Sequence, residues 1–266
     1  MRKSLFTLVM ALVSGCVCAA TTLAQDFQKA YPLRAGGAIV IKNVSGNIIV
    51  SGYDGEGVTV KAYKEGRDRD QLQVEDTSSG ERVELRARYP ECRNCSIEAS
   101  IRFEVLVPRA GRYQIGKLST ASGNIEVGGV RGDVQASTAS GDVRVQDVAG
   151  NINVSTASGQ MRVREVAGTV SASSASGNVE VEIARLEGAD DMKFSSASGD
   201  VNVKMPSNLD AEVNLSTASG SVNTNFPLEV RKPQHGSGER ASGRLGNGGR
   251  QLKISSASGN VSLTNF

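Results

Sequence analysis

The chain has 266 residues, of which 39% are hydrophobic and 4% aromatic, with 30 glycines, 4 cysteines and no tryptophan. Its formal charge is +2, but Arg2 and Lys3 lie in an acid-free segment, residues 1–24, so the rest of the chain holds 28 basic and 28 acidic residues. This balance argues against a nucleic-acid-binding protein with a broad basic field. Val, Ile, Ser, Thr, Gly and Asn dominate without a 3.6-residue period, so we expect an all-β protein.

Residues 1–24 are organised like a secretory signal peptide. Arg2 and Lys3 precede an apolar run over residues 5–13, and small residues follow this run. This is the order of charged, apolar and cleavage regions that directs export. We therefore expect a protein that acts in the periplasm, on the outer surface or outside the cell.

Two cleavage positions are compatible with this leader. Residues 22–24 favour cleavage before Gln25, whereas residues 13–16 resemble a lipobox that would place a lipid on Cys16. Cleavage before Gln25 leaves an even pair of cysteines, while cleavage before Cys16 also leaves Cys18 without a partner in an oxidising compartment. We expect the soluble mature form, and a lipoprotein anchored at Cys16 is the alternative.

Cys92 and Cys95 form a C-x-x-C motif. Alternating apolar residues over 83–89 and 101–107 predict a strand on each side, which places the cysteines at the tip of a hairpin-like excursion. A thioredoxin-like motif would instead open a helix, and a zinc site would need two further ligands, although the only histidine is the distant His235. We expect a structural disulfide here, with redox chemistry as the alternative and no metal site.

A repeat organises the second half of the chain. Ala-Ser-Gly recurs at residues 121–123, 139–141, 157–159, 175–177, 197–199, 218–220 and 257–259. The first four copies are 18 residues apart, and glycines recur every nine residues from Gly123 to Gly177. Each 18-residue unit therefore consists of two nine-residue halves.

Counted from glycine as position 1, each half has apolar residues at positions 3, 5 and 8. Positions 3 and 5 share one face of a strand, and we expect a turn to direct position 8 inward, with Val in one half and Ala in the other. One unit cannot bury this face alone, but stacked units about 4.8 Å apart would share a ladder of Val, Ile and Ala. Val145 should then lie beside Val127 and Val163.

The repeat predicts a parallel β-solenoid with two strands per 18-residue coil, coiled to the right as parallel crossovers prefer. An antiparallel meander with a hairpin every nine residues is the alternative, but it does not require the two halves to alternate in sequence. The later repeat spacings of 22, 21 and 39 residues indicate coils stacked in sequence order with insertions at their corners. The largest insertion, residues 228–249, has little apolar content and is expected to be a loop.

Residues 25–115 are less regular than the repeats. Asn43-Val44-Ser45-Gly46-Asn47 resembles a later corner, and Val58, Val60 and Ala62 predict a strand. We interpret residues 25–115 as an N-terminal β cap that covers the open end of a solenoid formed by residues 116–266.

The leader, the segment 43–47 and the Ala-Ser-Gly-Asn/Asp repeats up to residues 255–261 resemble the bacterial putative-adhesin family with β-strand repeats. The resemblance covers nearly the whole mature chain and implies an exported β-solenoid. The family name implies surface interaction, and its function is largely unassigned. No catalytic residues or cofactors come with the resemblance.

Specific chemistry has little support in the repeats. Calcium-binding β-rolls use G-G-x-G-x-D, whereas this chain has one glycine per nine residues, and position 2 does not place two carboxylates in adjacent units. The Ser and Thr rows before each Ala-Ser-Gly could present hydroxyls to ice or a glycan, but we expect them to satisfy backbone groups at the corners, because aromatic residues that stack on sugars are scarce. No Ser-His-acid set, H-E-x-x-H motif or phosphate-binding loop occurs, so we expect no catalytic residues.

The insertion 228–249 gathers basic residues around the acid Glu239. These residues are Arg231, Lys232, His235, Arg240 and Arg244. They would suit an anionic glycan or lipid head group, although composition alone favours a solvated loop without a partner. We expect a non-catalytic envelope or extracellular interaction module without cofactor, whose only membrane link would be the lipid anchor. A regulatory or envelope-stress protein is the alternative, followed by a polysaccharide-acting enzyme.

Overall fold

The computed structural model describes residues 26–90, 96–232 and 237–266. Apart from a 3-10 turn at Arg69–Gln71, these residues form strands and their connections. The strands are β1 (Phe27–Tyr31), β2 (Ala38–Lys42), β3 (Ile48–Tyr53), β4 (Val58–Gly66), β5 (Gln73–Asp76), β6 (Arg82–Arg88), β7 (Ala99–Pro108), β8 (Gln114–Ser122), β9 (Ile125–Arg131), β10 (Val134–Ser140), β11 (Val143–Ala149), β12 (Ile152–Ser158), β13 (Met161–Ala167), β14 (Val170–Ser176), β15 (Val179–Arg185), β16 (Met192–Ser198), β17 (Val201–Met205), β18 (Ala211–Ser219), β19 (Val222–Thr224), β20 (Val230–Arg231), β21 (Arg240–Leu245), β22 (Arg250–Ser258) and β23 (Val261–Asn265). The fold is all-β, as predicted.

The strands form two sheets that face each other across one core. Sheet A has 11 strands in the order β1-β4-β7-β3-β9-β11-β13-β15-β17-β23-β19, and sheet B has 12 strands in the order β20-β21-β18-β22-β16-β14-β12-β10-β8-β2-β6-β5. In the repeats the chain alternates between the sheets, and each strand pairs in parallel with the strand 18 residues away. Val145 lies opposite Val127 on one side and Val163 on the other. The parallel β-solenoid is therefore confirmed, and the meander is wrong.

The two halves of a coil turn their corners differently. In the Val-containing half, position 7 is left-handed at Gly129, Asp147 and Glu165, with φ of 65°, 52° and 55°. This conformation interrupts the strand alternation, so position 8, for example Val148, points inward as predicted. In the Ala-Ser-Gly half the alternation continues, so position 7 is buried, as Thr156 is, and the alanine at position 8 is exposed. The prediction of an inward alanine at position 8 is wrong for that half.

The N-terminal segment continues the same two sheets. β2 pairs in parallel with β8, and β3 pairs in parallel with β9, so these two strands already form a coil below the first Ala-Ser-Gly unit. Beyond this coil, β7 and β4 extend sheet A next to β3, and β6 and β5 extend sheet B next to β2. The strands that flank the C-x-x-C motif, β6 and β7, lie in different sheets, so the predicted hairpin around it is wrong. Cys92 and Cys95 themselves lie outside the described residues, as do residues 1–25.

The two sheets are joined at their N-terminal end by a polar clamp. Asp76 on β5 accepts hydrogen bonds from Lys29 Nζ at 2.7 Å and from the Tyr31 hydroxyl at 2.9 Å, both on β1. Burial alone would raise the pKa of Asp76, but hydrogen bonds from Lys29, Ser78 and Tyr31 outweigh it and hold this pKa well below its ordinary value. Burial and the hydrogen bond to Asp76 raise the pKa of Tyr31, which keeps its hydroxyl protonated as a donor.

The coils do not follow the order of the sequence at the far end. The coil made of β22 and β23 lies between the coil of β16 and β17 and the coil of β18 and β19. The predicted sequential order is therefore wrong for the last two coils. All coils carry the same apolar and corner pattern, so the pattern alone contains no information about which coil stacks on which.

Substitution of a corner glycine should destabilise the whole stack. Gly159 has φ of +149°, and a Cβ built on it would lie 2.0 Å from the carbonyl oxygen of Gly141 in the preceding coil. We expect Gly159→Ala to lower the free energy of unfolding by at least about 3 kcal/mol, measured by urea denaturation. Gly128→Ala is the control, because its Cβ would lie 3.7 Å from the nearest atom. Equal stability of the two variants would contradict the stacking.

The clamp should make stability depend on acid pH. Because the pKa of Asp76 is depressed in the folded state, its contribution is present above the unfolded pKa of about 3.9 and is lost as pH falls further. We expect Asp76→Asn to lower the free energy of unfolding by about 1 to 2 kcal/mol near neutral pH, with a smaller difference from the wild type at about pH 3. Urea titrations at both pH values test this. A difference between Asp76→Asn and the wild type that grows in acid would contradict an ionised Asp76 in the folded protein.

Candidate functional site

The Ala-Ser-Gly corners use one row of hydroxyls to satisfy the backbone. Thr156 Oγ1 donates to the carbonyl of Gly141 at 3.1 Å, and Thr138 Oγ1 donates to the carbonyl of Gly123 at 3.0 Å. The same bond recurs in other coils, for example from Ser256 to the carbonyl of Gly199 at 2.8 Å. These side chains are buried, so corner capping holds for the second residue of the predicted Ser/Thr pairs except Ser174, whose buried hydroxyl has no partner.

The first residue of each pair points outward, together with the alanine two positions later. We call these two rows the serine–alanine strip. Its members are Ser119, Ser137, Ser155, Ser173, Ser195, Ser216 and Ser255, and Ala121, Ala139, Ala157, Ala175, Ala197, Ala218 and Ala257. The alanines are exposed and the serines are at least partly exposed. Within the part of the chain that the structure describes, the serine hydroxyls of the strip make no hydrogen bond.

The parallel register makes the strip flat and regular. Ser137, Ser155 and Ser173 lie directly opposite one another in β10, β12 and β14, and the row continues through Ser195 and Ser255. Neighbouring hydroxyls are thus about 4.8 Å apart, the distance between strands. Because the rows consist of small side chains, no large group rises from this part of sheet B. A shallow groove of about 460 Å³ crosses the strip near β21, where Arg240 forms one wall.

A second groove lies on the same face, at the beginning of the sheet B strands. It has a volume of about 550 Å³, and Gln135, Asn153 and Ser171 of adjacent strands contribute to its lining. At its edge, Asn151 receives a hydrogen bond from Thr169 Oγ1 at 2.8 Å and contacts Asp190 of the loop before β16. The outer face of sheet B therefore presents hydroxyl and amide groups beside the strip.

The outer face of sheet A has the opposite character. Arg144 contacts Glu126 at 3.4 Å, and Glu180 binds Arg162 at 3.4 Å and Arg164 at 2.6 Å. These pairs lie across adjacent strands, where opposite charges fix the register. These charged groups of sheet A pair with one another, whereas the hydroxyls of the strip remain available to a partner.

The basic residues predicted at 228–249 are largely neutralised. Arg231 binds Glu229 at 2.8 Å, and Lys232 binds Glu239 at 3.0 Å. The main-chain N–H of Val222 and the Lys232 ammonium both lower the pKa of Glu239. The sequence interpretation overlooked Glu229 among the residues near this cluster.

The remaining members of this cluster have different surroundings. Arg244 binds Glu212 of β18 at 2.5 Å, while Arg240 makes no ion pair with the described residues. Arg240 and Arg244 belong to β21, which pairs with β18 and buries Ala241 and Leu245, so the predicted loop is partly a strand. A few apolar residues sufficed because β18 offered an open edge. His235, like Cys16, lies outside the described residues.

Side chains at position 2 of the repeats bind the backbone. Asn124 Oδ1 accepts the N–H of Asp142 at 2.9 Å, and Asp142 Oδ1 accepts the N–H of Gln160 at 2.9 Å. Asp200 accepts the N–H of Asn260 at 2.7 Å in the same way. These oxygens therefore tie successive coils together. In residues 26–90, 96–232 and 237–266, no three His, Cys, Asp or Glu side chains are grouped to hold a metal ion.

Comparisons with known proteins agree with this architecture. Residues 112–264 match the protein family described as Toastrack DUF4097. A putative adhesin from Bacteroides fragilis is similar in structure, with a TM-score of 0.50 at 16% sequence identity over 90% of this chain and 96% of that chain. A putative cell adhesion protein from Clostridium sporogenes also matches, with a TM-score of 0.33 at 12% identity over 90% of this chain and 98% of that one.

No curated protein matches the chain. Within the described ranges, no helix is long and apolar enough to cross a membrane. The similarity to the Bacteroides fragilis structure supports the solenoid fold, and no catalytic family is indicated.

The inward hydroxyls should differ in their contribution to stability according to their bonds. Thr156→Val removes the donor to the buried carbonyl of Gly141, and we expect it to lower the free energy of unfolding by about 1 to 3 kcal/mol. Ser174 occupies the same row, but its buried hydroxyl has no partner. Ser174→Ala should therefore leave the free energy of unfolding unchanged or raise it, because it removes a buried hydroxyl that makes no hydrogen bond. Thermal or urea unfolding of both variants tests the assignment, which a larger loss for Ser174→Ala would contradict.

Proposed function

Because the chain belongs to the Toastrack DUF4097 family, we propose that it is an exported cell-envelope module that binds its partner without catalysis, through the serine–alanine strip of sheet B. The family description names no activity. The strip offers a rigid array of hydroxyl and methyl groups at one spacing, which suits binding to a flat, uncharged surface of an envelope or extracellular partner.

One observation carries this proposal: the two outer faces differ in the groups that they leave available. Ion pairs across the strands occupy many of the charges on the central strands of sheet A, as between Arg164 and Glu180. The strip hydroxyls, as in Ser155 and Ser173, have no partner among the described residues, although each lies on a strand that is fixed on both sides. Rigid groups lose little conformational entropy when they bind, so an array of this kind is preorganised for recognition.

Export and surface location are supported by two further points. The leader has the order of a signal peptide, with Gln25 as the expected first residue of the mature form. The similar structure from Bacteroides fragilis is described as a putative adhesin. An adhesive role for this chain follows as part of the proposal and would need no catalytic group.

Binding to isolated cell-envelope fractions tests the strip. Ser155 and Ser173 are neighbours on adjacent strands of sheet B, so the double variant Ser155→Arg/Ser173→Arg would raise two long side chains from the flat face. We expect this variant to bind at least about tenfold more weakly than the wild type. The matched control is Asn202→Arg/Ser262→Arg, which adds the same charge on adjacent strands of sheet A and should bind like the wild type.

Salt dependence separates the strip from the basic residues of the insertion. Binding by an uncharged face should persist in about 1 M salt, where the Debye length is about 3 Å, whereas binding through Arg231 or Arg240 should weaken. Loss of binding in salt, together with wild-type binding of the strip variant, would assign recognition to the insertion. Cell fractionation and the mass of the mature protein test export, and a lipid on Cys16 would replace the soluble form by the anchored one.

A further inference from the structure

The coil formed by residues 250–265, here called the inserted coil, occupies a slot between two coils that precede it in the sequence. On sheet B its strand β22 lies between β16 and β18, and on sheet A its strand β23 lies between β17 and β19. All four pairings are parallel. Both walls of the slot are therefore made by residues 192–224, and the filling segment comes from elsewhere in the chain.

A short glycine-rich turn brings the inserted coil into this slot. β21 pairs with one edge of β18, and β22 pairs with the other edge, so residues 246–249 must pass around the beginning of β18. The N–H of Asn247 donates to Asp210 Oδ1 at 2.7 Å at this crossing. Gly246, Gly248 and Gly249 have φ of 54°, 75° and 108°, values that side chains disfavour.

The slot cannot remain empty. Leu252, Ile254, Val261 and Leu263 of the inserted coil are completely buried. Without this coil, the facing edges of β16 and β18, and those of β17 and β19, would be unpaired and their apolar side chains would be exposed to water. Release of the inserted coil therefore requires that an equivalent coil takes its place.

A second copy of the chain supplies such an equivalent coil. β22 places Ser255, Ser256 and Ser258 opposite Ser195, Ser196 and Ser198 of β16 in one register. A coil from a second copy would present the same side chains, hydrogen bonds and apolar residues to the slot. Only the conformation of residues 246–249 would differ between a coil from the same chain and a coil from a second copy.

We propose that two copies of this protein exchange their inserted coils and form a reciprocal dimer, with residues 246–249 as the hinge. Exchange of an identical element preserves every contact of the slot, so it is a low-cost route to a dimer. When the coil lies in its own chain, residues 246–249 must turn sharply, with three of the four in left-handed conformations. When the coil lies in a second copy, these residues can be extended, and this requirement disappears. The proposal does not depend on the serine–alanine strip.

Cross-linking between two different variants tests the exchange. In a background with the four native cysteines replaced by serine, one chain carries Ser195→Cys and a second carries Ser255→Cys. These two positions are directly opposite each other in β16 and β22, at a Cα separation that a disulfide can span. Neither chain can form the disulfide alone, so we expect a linked heterodimer after the two are unfolded and refolded together, when the coil of one chain fills the slot of the other.

Two controls make the result decisive. A mixture of Ser137→Cys and Ser155→Cys chains has the same pairing in β10 and β12, where no exchange is proposed, and it measures contact between the faces of two copies. A chain with both Ser195→Cys and Ser255→Cys should form this disulfide within the chain in the monomer and between chains in the exchanged dimer. The proposal is overturned if the mixed chains link no more than the Ser137/Ser155 control, or if the double variant forms its disulfide only within one chain.

A hinge variant tests the cause of the exchange. A Cβ at Gly249 would meet no atom within 4 Å, but its φ of +108° is a strained conformation for valine. Gly249→Val therefore destabilises the turn that places the inserted coil in its own chain, and it leaves an extended hinge unaffected. We expect it to strengthen dimerisation by about tenfold, measured by analytical ultracentrifugation. Gly36→Val is the matched control, since Gly36 has φ of +89° and equally open surroundings far from the hinge. An equal effect of both variants would exclude residues 246–249 as the hinge.

Discussion

The structure depends on the close stacking of glycines at the corners of the coils. At Gly159 and its equivalents, the carbonyl oxygen of the glycine in the adjacent coil occupies the space that a Cβ would need. Each such glycine also donates its N–H to a carbonyl of the next coil, as Gly159 does to Ser176 at 3.0 Å. The corner therefore fixes the distance and the register between coils at once. The rows of equivalent side chains on both sheets follow from this register.

The register determines what each face of the solenoid can do. Because equivalent residues lie directly above one another, a preference repeated in the sequence becomes a continuous row on the surface. In sheet A the rows contain opposite charges that pair across strands, as in Arg162 and Glu180. In sheet B they contain serine and alanine, which leave a flat surface with free hydroxyls. The same construction thus produces one face that is satisfied internally and one that is open to a partner.

The repetition also permits coils to stack out of sequence order. A coil whose apolar residues and corner match every other coil can fill any slot in the stack, provided that its connections reach. At the far end of the solenoid, the turn over residues 246–249 passes around β18 and places residues 250–265 between earlier coils. Interchangeable coils and a short hinge are the two conditions for exchange between copies, and both follow from the repeat and this turn.

The sequence by itself determined the fold class, the parallel stacking and the composition of the rows, because a strict 18-residue period with glycine at each corner is compatible with few structures. It placed Val145 between Val127 and Val163 correctly. It favoured a backbone role for both Ser and Thr rows. The structure assigns the inner row, such as Thr156, to the backbone and the outer row, such as Ser155, to the surface.

Only the tertiary structure decided the features that depend on differences between similar units. The inward or outward direction of position 8 depends on whether position 7 is left-handed, as at Glu165, and the pattern of apolar residues does not encode this. The order of the last coils depends on the path of one turn around β18. The charge of the insertion depends on Glu212, which lies outside it in sequence but contacts Arg244 in space. In each case local sequence patterns are equivalent, and the choice is made by contacts between residues that are distant in the chain.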